Sequence, residues 1–309
     1  MVNRRTLLGS MAAVGTTAAL WPSRLQALQA GEPSRTALGA ALHRAAHQLV
    51  DKPPVFADPL ALRILGSERS KLLREYFSRR THAKKAMRAF IVMRSRYAED
   101  ELAAAFQNGI RQYLVLGAGL DTFAYRNPYG DAVKTFEVDH PATQEWKQAR
   151  LQEQNIAIPP ALAFVPVDFE KDSLGERLDR AGFDRKAPVF ISWLGVSIYL
   201  TRDAVFETLR FVTASCASGS RIVFDFALPD EQLDDRELSA RTSRAALVSK
   251  AGEPWISYFD ADALTGDLLG MGFARASTIG PNEANERYFT GRSDGLQVTG
   301  SGRMMLAGT

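Results

Sequence analysis

From Ser34 to Gly109, apolar residues recur at helical spacing. Ser34 is a good N-cap residue, and the helix predicted after it places four apolar side chains on one face: Leu38, Leu42, Ala45 and Leu49. The breaker segment DKPPVFADP (51–59) ends this helix. Further helices are predicted over residues 61–65, 72–76 and 83–106. Residues 31–108 are therefore predicted to form a helical cap.

After Gly109 the pattern changes to short apolar runs, typical of strands, that alternate with helical segments. Five such runs are 113–117, 133–139, 162–168, 188–195 and 221–227. The helical segments between them include 142–154, 174–181 and 204–214. Strands joined through helices predict a mainly parallel sheet that is covered on both faces. Two last runs, separated by a loop without a helix, predict an antiparallel edge hairpin: 273–280 and 296–308.

The composition is that of an ordinary globular protein, and we predict one α/β domain over residues 31–309, with a Rossmann-like core at 109–309. The single cysteine, Cys216, excludes an internal disulfide and a multi-cysteine metal site, and no metal is predicted. The net charge of +3 is too mild to give a global field for a polyanion. A basic run from Arg69 to Arg96 is compatible with an RNA platform, but its alternation with apolar residues favours a solvated helical face and no nucleic-acid partner.

Residues 1–30 have the pattern of a twin-arginine export signal. The residues NRRTLL (3–8) lead into a weakly apolar run, LLGSMAAVGTTAAL (7–20). A membrane-spanning helix needs about 20 predominantly apolar residues, so no stable membrane span is predicted. The alternative is a frayed N-terminal tail that is not cleaved.

Glycines and carboxylates stand at the carboxyl ends of three predicted strands. Gly117, Ala118 and Gly119 follow the first strand, Asp139 ends the second and Asp168 ends the third. Open parallel sheets bind ligands at these strand ends, beside the topological switch point. Glycines let a ligand approach the backbone closely, one carboxylate can accept both hydroxyls of a ribose, and another can accept from an adenine amine. Together these residues predict a nucleotide site, although a plain turn, a loop cap and a turn former explain them one by one.

The glycine turn favours one class of nucleotide over another. A dinucleotide-binding turn would normally have a third glycine at position 122, which lets a helix pack closely and place its N-terminus against a pyrophosphate. This chain has Thr122 there, and the preceding Asp121 would repel a pyrophosphate but tolerate a cationic tail. S-adenosylmethionine has such a tail, with an ammonium and a sulfonium. An NAD-dependent oxidoreductase that uses Asp139 for ribose is the weaker alternative.

Six motifs follow one another along the chain: LGAGLDTFAYR (116–126), FEVDHP (136–141), VPVDFEKD (165–172), ISWLGVSIYLT (191–201), GEPWISYFD (252–260) and RYFTGRSDGL (287–296). Together they resemble the leucine carboxyl methyltransferase-like family of class I S-adenosylmethionine-dependent methyltransferases, from about residue 34 to the C-terminus. The resemblance implies a seven-stranded Rossmann-like sheet, mostly parallel with the last strand pair antiparallel, and S-adenosyl-L-methionine as the cofactor.

The resemblance also implies a role for each residue of the predicted site. The turn 117–119 would line the methionine and ribose of the cofactor, and Asp139 would hold the ribose hydroxyls. Asp168 and the backbone of Phe169 would read the adenine. Arg96, within MRSRYAEDEL (93–102), would pair with the methionine carboxylate through bidentate guanidinium geometry. A solvated helix position is the alternative for Arg96.

One departure from the family pattern concerns the methyl acceptor. Leucine carboxyl methyltransferases place an acidic residue after the fourth strand, where this chain has SWLG (192–195). A bulky apolar wall there disfavours a protein phosphatase and favours a small molecule. The Asn/Asp-Pro-Pro-aromatic signature of base methylation is also missing from SWLGVSIYL (192–200). We therefore expect O-methylation, at a carboxyl or hydroxyl, of a small molecule.

No catalytic residue is assigned from the sequence. A carboxylate acceptor is ionised at neutral pH and needs no base, whereas a hydroxyl would benefit from one. His140 and Tyr199 are candidates by position, but a structural role explains each as well. The N-terminal helices and the irregular segment 228–257 are expected to close over the sheet as a lid.

The predicted leader conflicts with the predicted chemistry. S-adenosylmethionine is made in the cytoplasm, so an exported enzyme would exhaust whatever cofactor it carried out. The sequence leaves the location open between export and the cytoplasm. An exported Rossmann-like protein that binds without turnover is therefore a second alternative function.

Overall fold

The computed structural model describes residues 34–78, 81–168, 171–250 and 254–309. The predicted leader, residues 1–30, and Phe169 lie outside this part of the chain. Within it, no helix combines the length and the apolar character that crossing a bilayer requires.

Seven strands of the described residues form one sheet. They are β1 (Gln112–Leu116), β2 (Lys134–Asp139), β3 (Leu162–Pro166), β4 (Val189–Trp193), β5 (Arg221–Ala227), β6 (Arg275–Ile279) and β7 (Gly302–Gly308). Their order is β3-β2-β1-β4-β5-β7-β6. All pairs among β1 to β5 are parallel, and β7 is antiparallel to both β5 and β6. This confirms the prediction of a mostly parallel sheet with an antiparallel last pair.

Helices pack on both faces of this sheet. In the described residues they are α1 (Arg35–Val50), α2 (Arg69–Ser78), α3 (His82–Gln107), α4 (Pro141–Glu153), α5 (Leu174–Arg180), α6 (Arg202–Ser215), α7 (Asp235–Lys250), α8 (Ala261–Gly270) and α9 (Pro281–Tyr288). On β1, Leu114 and Leu116 pack with α5, α6 and α8, whereas Tyr113 and Val115 face α3 and α9. Because both faces are covered, all five residues of β1 are buried.

The first described residues of the helical cap lie beside the glycine turn (117–119) that follows β1. Ser34 caps α1, since its Oγ accepts from the Ala37 N–H at 3.1 Å. Further along α1, Arg44 Nη2 donates to Leu120 O at 2.6 Å, and its Nε lies 3.5 Å from Asp58 Oδ2. These buried contacts hold the first helix against the glycine turn.

The predicted β6–β7 hairpin is wrong in its connection. Helix α9 lies between the two strands. Pro281 suits the first turn of a helix, and Glu283 Oε2 accepts from the Gly280 N–H at 3.0 Å. Ala284 is the buried residue of this helix, so its sequence carries no apolar stripe from which a helix is predicted.

Two predictions in the cap and lid are also wrong. Residues 61–65 form hydrogen-bonded turns rather than a helix, and Gly66 ends them with φ at +77°. The segment 228–257, expected to be irregular, contains the 16-residue helix α7. Its sequence, DRELSARTSRAALVSK, is mostly polar. The spacing of apolar residues therefore does not predict a helix there.

Candidate functional site

A cavity of about 900 Å³ opens at the carboxyl ends of the parallel strands. Its walls come from the segments after β1, β2, β4 and β5 and from helices α1 and α3, and Arg241 of α7 and Trp255 also line it. The cavity lies at the switch point between β1 and β4, where open α/β sheets bind ligands. Small-molecule and cofactor pockets occupy roughly 300–1,000 Å³, so this one is large enough for a nucleotide and a second small molecule.

The structure places Gly117, Ala118 and Gly119 on the cavity wall. Gly117 has φ of +69° and Gly119 of +44°, in the left-handed region that favours glycine. A Cβ on Gly117 would lie 2.4 Å from Cγ2 of Val196, in the loop after β4. The glycine thus allows both the backbone conformation and the close packing of the two loops.

The carboxylate of Asp139, at the end of β2, is fixed on the cavity wall by two backbone donors. Its Oδ2 accepts from the Gly119 N–H at 2.6 Å, and its Oδ1 accepts from the His140 N–H at 2.7 Å. Burial raises the pKa of Asp139, and the two N–H groups oppose that shift. Each oxygen keeps acceptor capacity for a further donor.

Asp168 also lines the cavity, two residues beyond β3. Its N–H donates to Asp172 Oδ2 at 2.9 Å, and its Oδ2 accepts from Lys171 Nζ at 2.6 Å. The three strand ends therefore bring the turn 117–119, Asp139 and Asp168 to one cavity. Phe169, the other residue predicted to contact adenine, lies outside the described residues.

Arg96, predicted to pair with the methionine carboxylate, does not line this cavity. Its Nε donates to Asp100 Oδ1 at 2.8 Å and its Nη1 to Val55 O at 3.3 Å, beside a separate surface pocket. Arg94, two residues earlier on α3, lines the cavity instead. Two residues turn an α-helix by about 200°, so only one of the two arginines can face the strand ends.

Arg94 is held in place by Asp225 of β5. Its Nη1 donates to Asp225 Oδ2 at 2.9 Å, and the Gly195 N–H donates to Asp225 Oδ1 at 2.5 Å. A Cβ on Gly195 would lie 2.6 Å from Nη2 of Arg94. The guanidinium therefore packs directly against the loop that follows β4.

Sequence reasoning missed Arg94 and Asp225, although both leave a signal. Arg94 lies three residues after Ile91 and four before Ala98, which are both buried, so helical spacing puts it on the inner face of α3. Asp225 interrupts the buried run RIVFDFA, where a carboxylate is expected only with a partner.

The expected bulky wall after β4 is only partly present. Trp193 is 2% exposed and packs in the core, with its ring centroid 5.9 Å from that of Phe224. Ser192, Leu194 and Gly195 line the cavity. Successive strand residues point to opposite faces, so the tryptophan turns away from the residues on either side of it.

Two residues considered as candidate bases also lie at the cavity. His140 caps α4, since its Nδ1 accepts from the Ala142 N–H at 3.3 Å. Tyr199 lies on the short 3₁₀ turn after β4. The hydrogen bond of His140 supports its structural role.

Position 122 has a contact that glycine cannot make. Thr122 is buried, and its Oγ1 donates to Asp58 Oδ2 at 2.8 Å. The element after the turn is a four-residue 3₁₀ helix, Phe123–Arg126. The turn therefore does not lead into the kind of α-helix N-terminus on which a pyrophosphate rests.

Comparison with known proteins identifies the family. The sequence profile described as "Leucine carboxyl methyltransferase" matches residues 37–213, more than half of the 309-residue chain. The chain belongs to the leucine carboxyl methyltransferase family. This confirms the resemblance found in the sequence motifs.

Two relatives extend the match over most of the chain. A Bacillus subtilis (strain 168) protein, "Putative S-adenosyl-L-methionine-dependent methyltransferase YktD", is 32% identical over 295 residues, covering 88% of this chain and 96% of that protein. A Frankia alni protein, "Putative S-adenosyl-L-methionine-dependent methyltransferase FRAAL3718", is 32% identical over 251 residues, covering 78% of this chain and 84% of that protein.

The fold agrees with this family. A crystal structure described as a "putative methyltransferase from Thermobifida fusca YX" superimposes with a TM-score of 0.54 at 16% identity, covering 91% of this chain and 96% of that chain. The protein is thus a class I methyltransferase of the leucine carboxyl methyltransferase family, and S-adenosylmethionine is its cofactor. Neither the oxidoreductase nor the non-catalytic alternative is supported by these matches.

The cavity of this family member fits that cofactor in its charge. Four carboxylates line the part near β1, β2 and β3: Asp121, Asp139, Glu145 and Asp168. Arg94 and Arg241 line the part bounded by α3 and α7. Arg35, Arg44 and Lys171 also line the cavity, and Lys171 pairs with Asp168. A lining with charges of both signs suits a ligand that has a sulfonium, an ammonium and a carboxylate. Among the described residues, no three His, Cys, Asp or Glu side chains are grouped so as to hold a metal ion.

Proposed function

We propose that the protein transfers the methyl group of S-adenosylmethionine to a carboxyl or hydroxyl oxygen of a small molecule. The observation that carries the cofactor site is the carboxylate of Asp139, fixed by the Gly119 and His140 N–H groups at the end of β2. A carboxylate held in this way can accept from both hydroxyls of a ribose without first losing rotamer freedom.

The remaining residues of the site accommodate the rest of the cofactor around that anchor. The turn 117–119 offers close access to its backbone for the ribose and methionine. Asp168 is the acceptor for the adenine amine. Arg94, rather than Arg96, is the arginine that meets the methionine carboxylate, because it is the one that lines the cavity.

The chain's own contribution to the reaction is alignment and exclusion of water. When bound, S-adenosylmethionine supplies an electrophilic methyl group on a sulfonium. A carboxylate acceptor needs only to be oriented in line with it, whereas a hydroxyl acceptor also needs a proton acceptor.

The part of the cavity away from β1 to β3 fits a mainly apolar acceptor. Its lining includes Met87 and Phe90 of α3, Leu194 and Ile198 after β4, and Trp255. Arg241 of α7 also lines this region and offers guanidinium N–H donors. A small molecule with an apolar body and an acidic oxygen matches that combination.

The test is a screen of the purified full chain with methyl-labelled S-adenosylmethionine against carboxylic acids and phenols. The expected result is label in an O-methyl product. Asp139→Ala should abolish transfer, and Asp131→Ala, an exposed aspartate outside the cavity, should not. Calorimetry with S-adenosylhomocysteine and with NAD completes the test, since a chain that binds only NAD contradicts the proposal.

A further inference from the structure

A buried series of hydrogen bonds runs from α3 through α2 to His43 of α1. Arg88 donates to Asp51 through two groups, Nε to Oδ2 at 2.6 Å and Nη2 to Oδ1 at 2.9 Å. Its Nη1 lies 3.4 Å from the Tyr76 hydroxyl, which lies 2.9 Å from His43 Nδ1. Asp51, Tyr76 and Arg88 are buried, whereas His43 lines the cavity.

This series determines which nitrogen of His43 carries a proton. A guanidinium has N–H donors and no acceptor, so the Tyr76 oxygen accepts from Arg88. Tyr76 then donates its own O–H, and His43 Nδ1 is the acceptor at 2.9 Å. In a neutral imidazole one nitrogen accepts and the other donates, so Nε2 carries the N–H.

The surroundings of His43 keep its ring neutral. Burial lowers the pKa of His43 to about 3, with the positive charges of Arg88, Arg94 and Lys84 acting in the same direction. The nearest carboxylate in the series, Asp51, is already paired with Arg88. A neutral ring therefore persists through the physiological pH range.

His43 lies in the part of the cavity that the cofactor anchor does not occupy. Ala37, on the same helix, is the residue that packs against Gly119, since a Cβ on that glycine would lie 3.0 Å from the Ala37 Cβ. His43 follows six residues later, about 9 Å along the helix axis. His43 lines the cavity together with residues of α3. Its ring packs edge to face on the ring of Tyr76, with the centroids 5.1 Å apart.

We propose that His43 recognises the methyl acceptor as a hydrogen-bond donor through its Nε2–H, and that Tyr76 and Arg88 are positioning residues that fix this tautomer. The inference rests on the proposed function. A ring that donates at Nε2 and already accepts at Nδ1 does not serve as a general base. It selects acceptors that carry a carbonyl or carboxylate oxygen near the reacting group.

Nitrogen NMR on the full chain labelled with ¹⁵N-histidine tests the tautomer without any acceptor. The chain has four histidines, and the signals of His43 are assigned by their loss in His43→Gln. The expected result is a proton on Nε2, with no titration between about pH 5 and 9, the range in which an ordinary histidine changes charge. In Tyr76→Phe, a population with the proton on Nδ1 should appear.

A wild-type His43 that carries its proton on Nδ1, or that titrates in this range, would overturn the inference. Calorimetry with S-adenosylhomocysteine on the same samples reports on the proposed function separately. Failure of the chain to bind S-adenosylhomocysteine would contradict the methyltransferase, whereas the tautomer is decided by the nitrogen spectrum alone.

Kinetics with an acceptor from the screen supply a second measurement. His43→Leu should raise the KM for the acceptor about ten-fold or more and change the affinity for S-adenosylhomocysteine by less than about two-fold. His43→Gln keeps an N–H donor and should recover most of the loss. A fall in kcat that added imidazole restores would identify a general base and overturn the inference.

Discussion

Arg94 and Arg96 lie on one helix but contact different parts of the molecule, which makes them a matched pair. Arg94→Gln should weaken binding of S-adenosylhomocysteine about ten-fold or more, because a hydrogen bond between charged groups contributes roughly 1.5–3 kcal/mol. Arg96→Gln should change it by less than about two-fold, since Arg96 pairs with Asp100 outside the cavity. Calorimetry measures both, with thermal melts to confirm folding. A larger loss in Arg96→Gln would return the carboxylate-binding role to that residue.

Gly117 and Gly109 form a second matched pair, since both have positive φ, +69° and +90°. A Cβ on Gly109 would meet nothing within 4 Å, whereas on Gly117 it would lie 2.4 Å from Val196. Both alanine variants should lose about 1 kcal/mol of unfolding free energy to backbone strain. Gly117→Ala should lose about 1–3 kcal/mol more through overpacking, together with binding of S-adenosylhomocysteine.

Urea denaturation and calorimetry on the two glycine variants provide the measurement. Gly109→Ala is the control, because it should keep its affinity for S-adenosylhomocysteine. Equal stability and equal affinity in both variants would show that the loop containing Val196 moves aside without loss of unfolding free energy or of ligand affinity.

At the scale of single residues, the sequence predicts those site residues that stand at the carboxyl ends of the strands. The turn 117–119, Asp139 and Asp168 each follow an apolar run, and parallel strands bring their carboxyl ends to one edge. Arg94 and His43 lie on helices, and whether their side chains reach the cavity depends on which side of each helix faces the sheet. The contact of His43 with Tyr76, 33 residues away, arises from tertiary packing that local spacing does not contain.

At the scale of elements, a buried ion pair joins β2 to α4 close to Asp139. Glu137 Oε2 and Lys147 Nζ lie 2.7 Å apart, and each side chain is 1% exposed. Tyr125 donates its hydroxyl to the same oxygen at 3.1 Å. Burial raises the pKa of Glu137 from 4.5 to about 6, with Lys147 opposing the shift.

Lys147→Met should therefore destabilise the protein in a pH-dependent way. Because the pKa of Glu137 is raised by folding, the stability that this group contributes is lost as pH rises from 4.5 through about 6. Without Lys147 the buried carboxylate has no cation, so the variant should lose about 3–5 kcal/mol of unfolding free energy near pH 8. Near pH 5 the loss should be smaller, because Glu137 can then take up a proton.

Urea denaturation at the two pH values gives the comparison, with Lys186→Met as the control because Lys186 is exposed. The control should stay within about 0.5 kcal/mol of the wild type at both pH values. A Lys147→Met penalty that does not change with pH would mean that Glu137 stays charged in the folded state.

The elements that the sequence predicts best are the parallel strands, which are buried on both faces of the sheet. The run 221–227 coincides with β5, and the other parallel strands lie within their predicted runs or begin one residue earlier. Helix α9 escapes prediction because Ala284 is its buried residue, and helix α7 escapes prediction because its sequence is mostly polar. The spacing of apolar residues predicts a helix only where the helix buries an apolar face. It does not predict a helix whose side chains are mostly polar.

At the scale of the whole molecule, the cap is fixed to the sheet by a buried network around Asp58. Its Oδ2 accepts from Thr122 Oγ1 at 2.8 Å, and Arg44 and Arg126 lie 3.5 Å and 3.6 Å from its carboxylate. Arg126 also donates from Nη1 to Glu99 of α3 at 2.8 Å. The glycine turn therefore shares its supports with α1 and α3, so a ligand at the turn also acts on the cap.

This coupling predicts where ligand binding slows hydrogen exchange. S-adenosylhomocysteine should raise protection in α1 and α7, because Ala37 packs on the glycine turn and Arg241 lines the same cavity. Helix α8, which contributes no residue to the cavity lining, serves as the internal control and should keep its exchange rates. Mass spectrometry of the full chain at saturating ligand makes the comparison. If the ligand binds and both α1 and α7 exchange as fast as without it, these elements do not close over the site, and the cap serves only to support the turn.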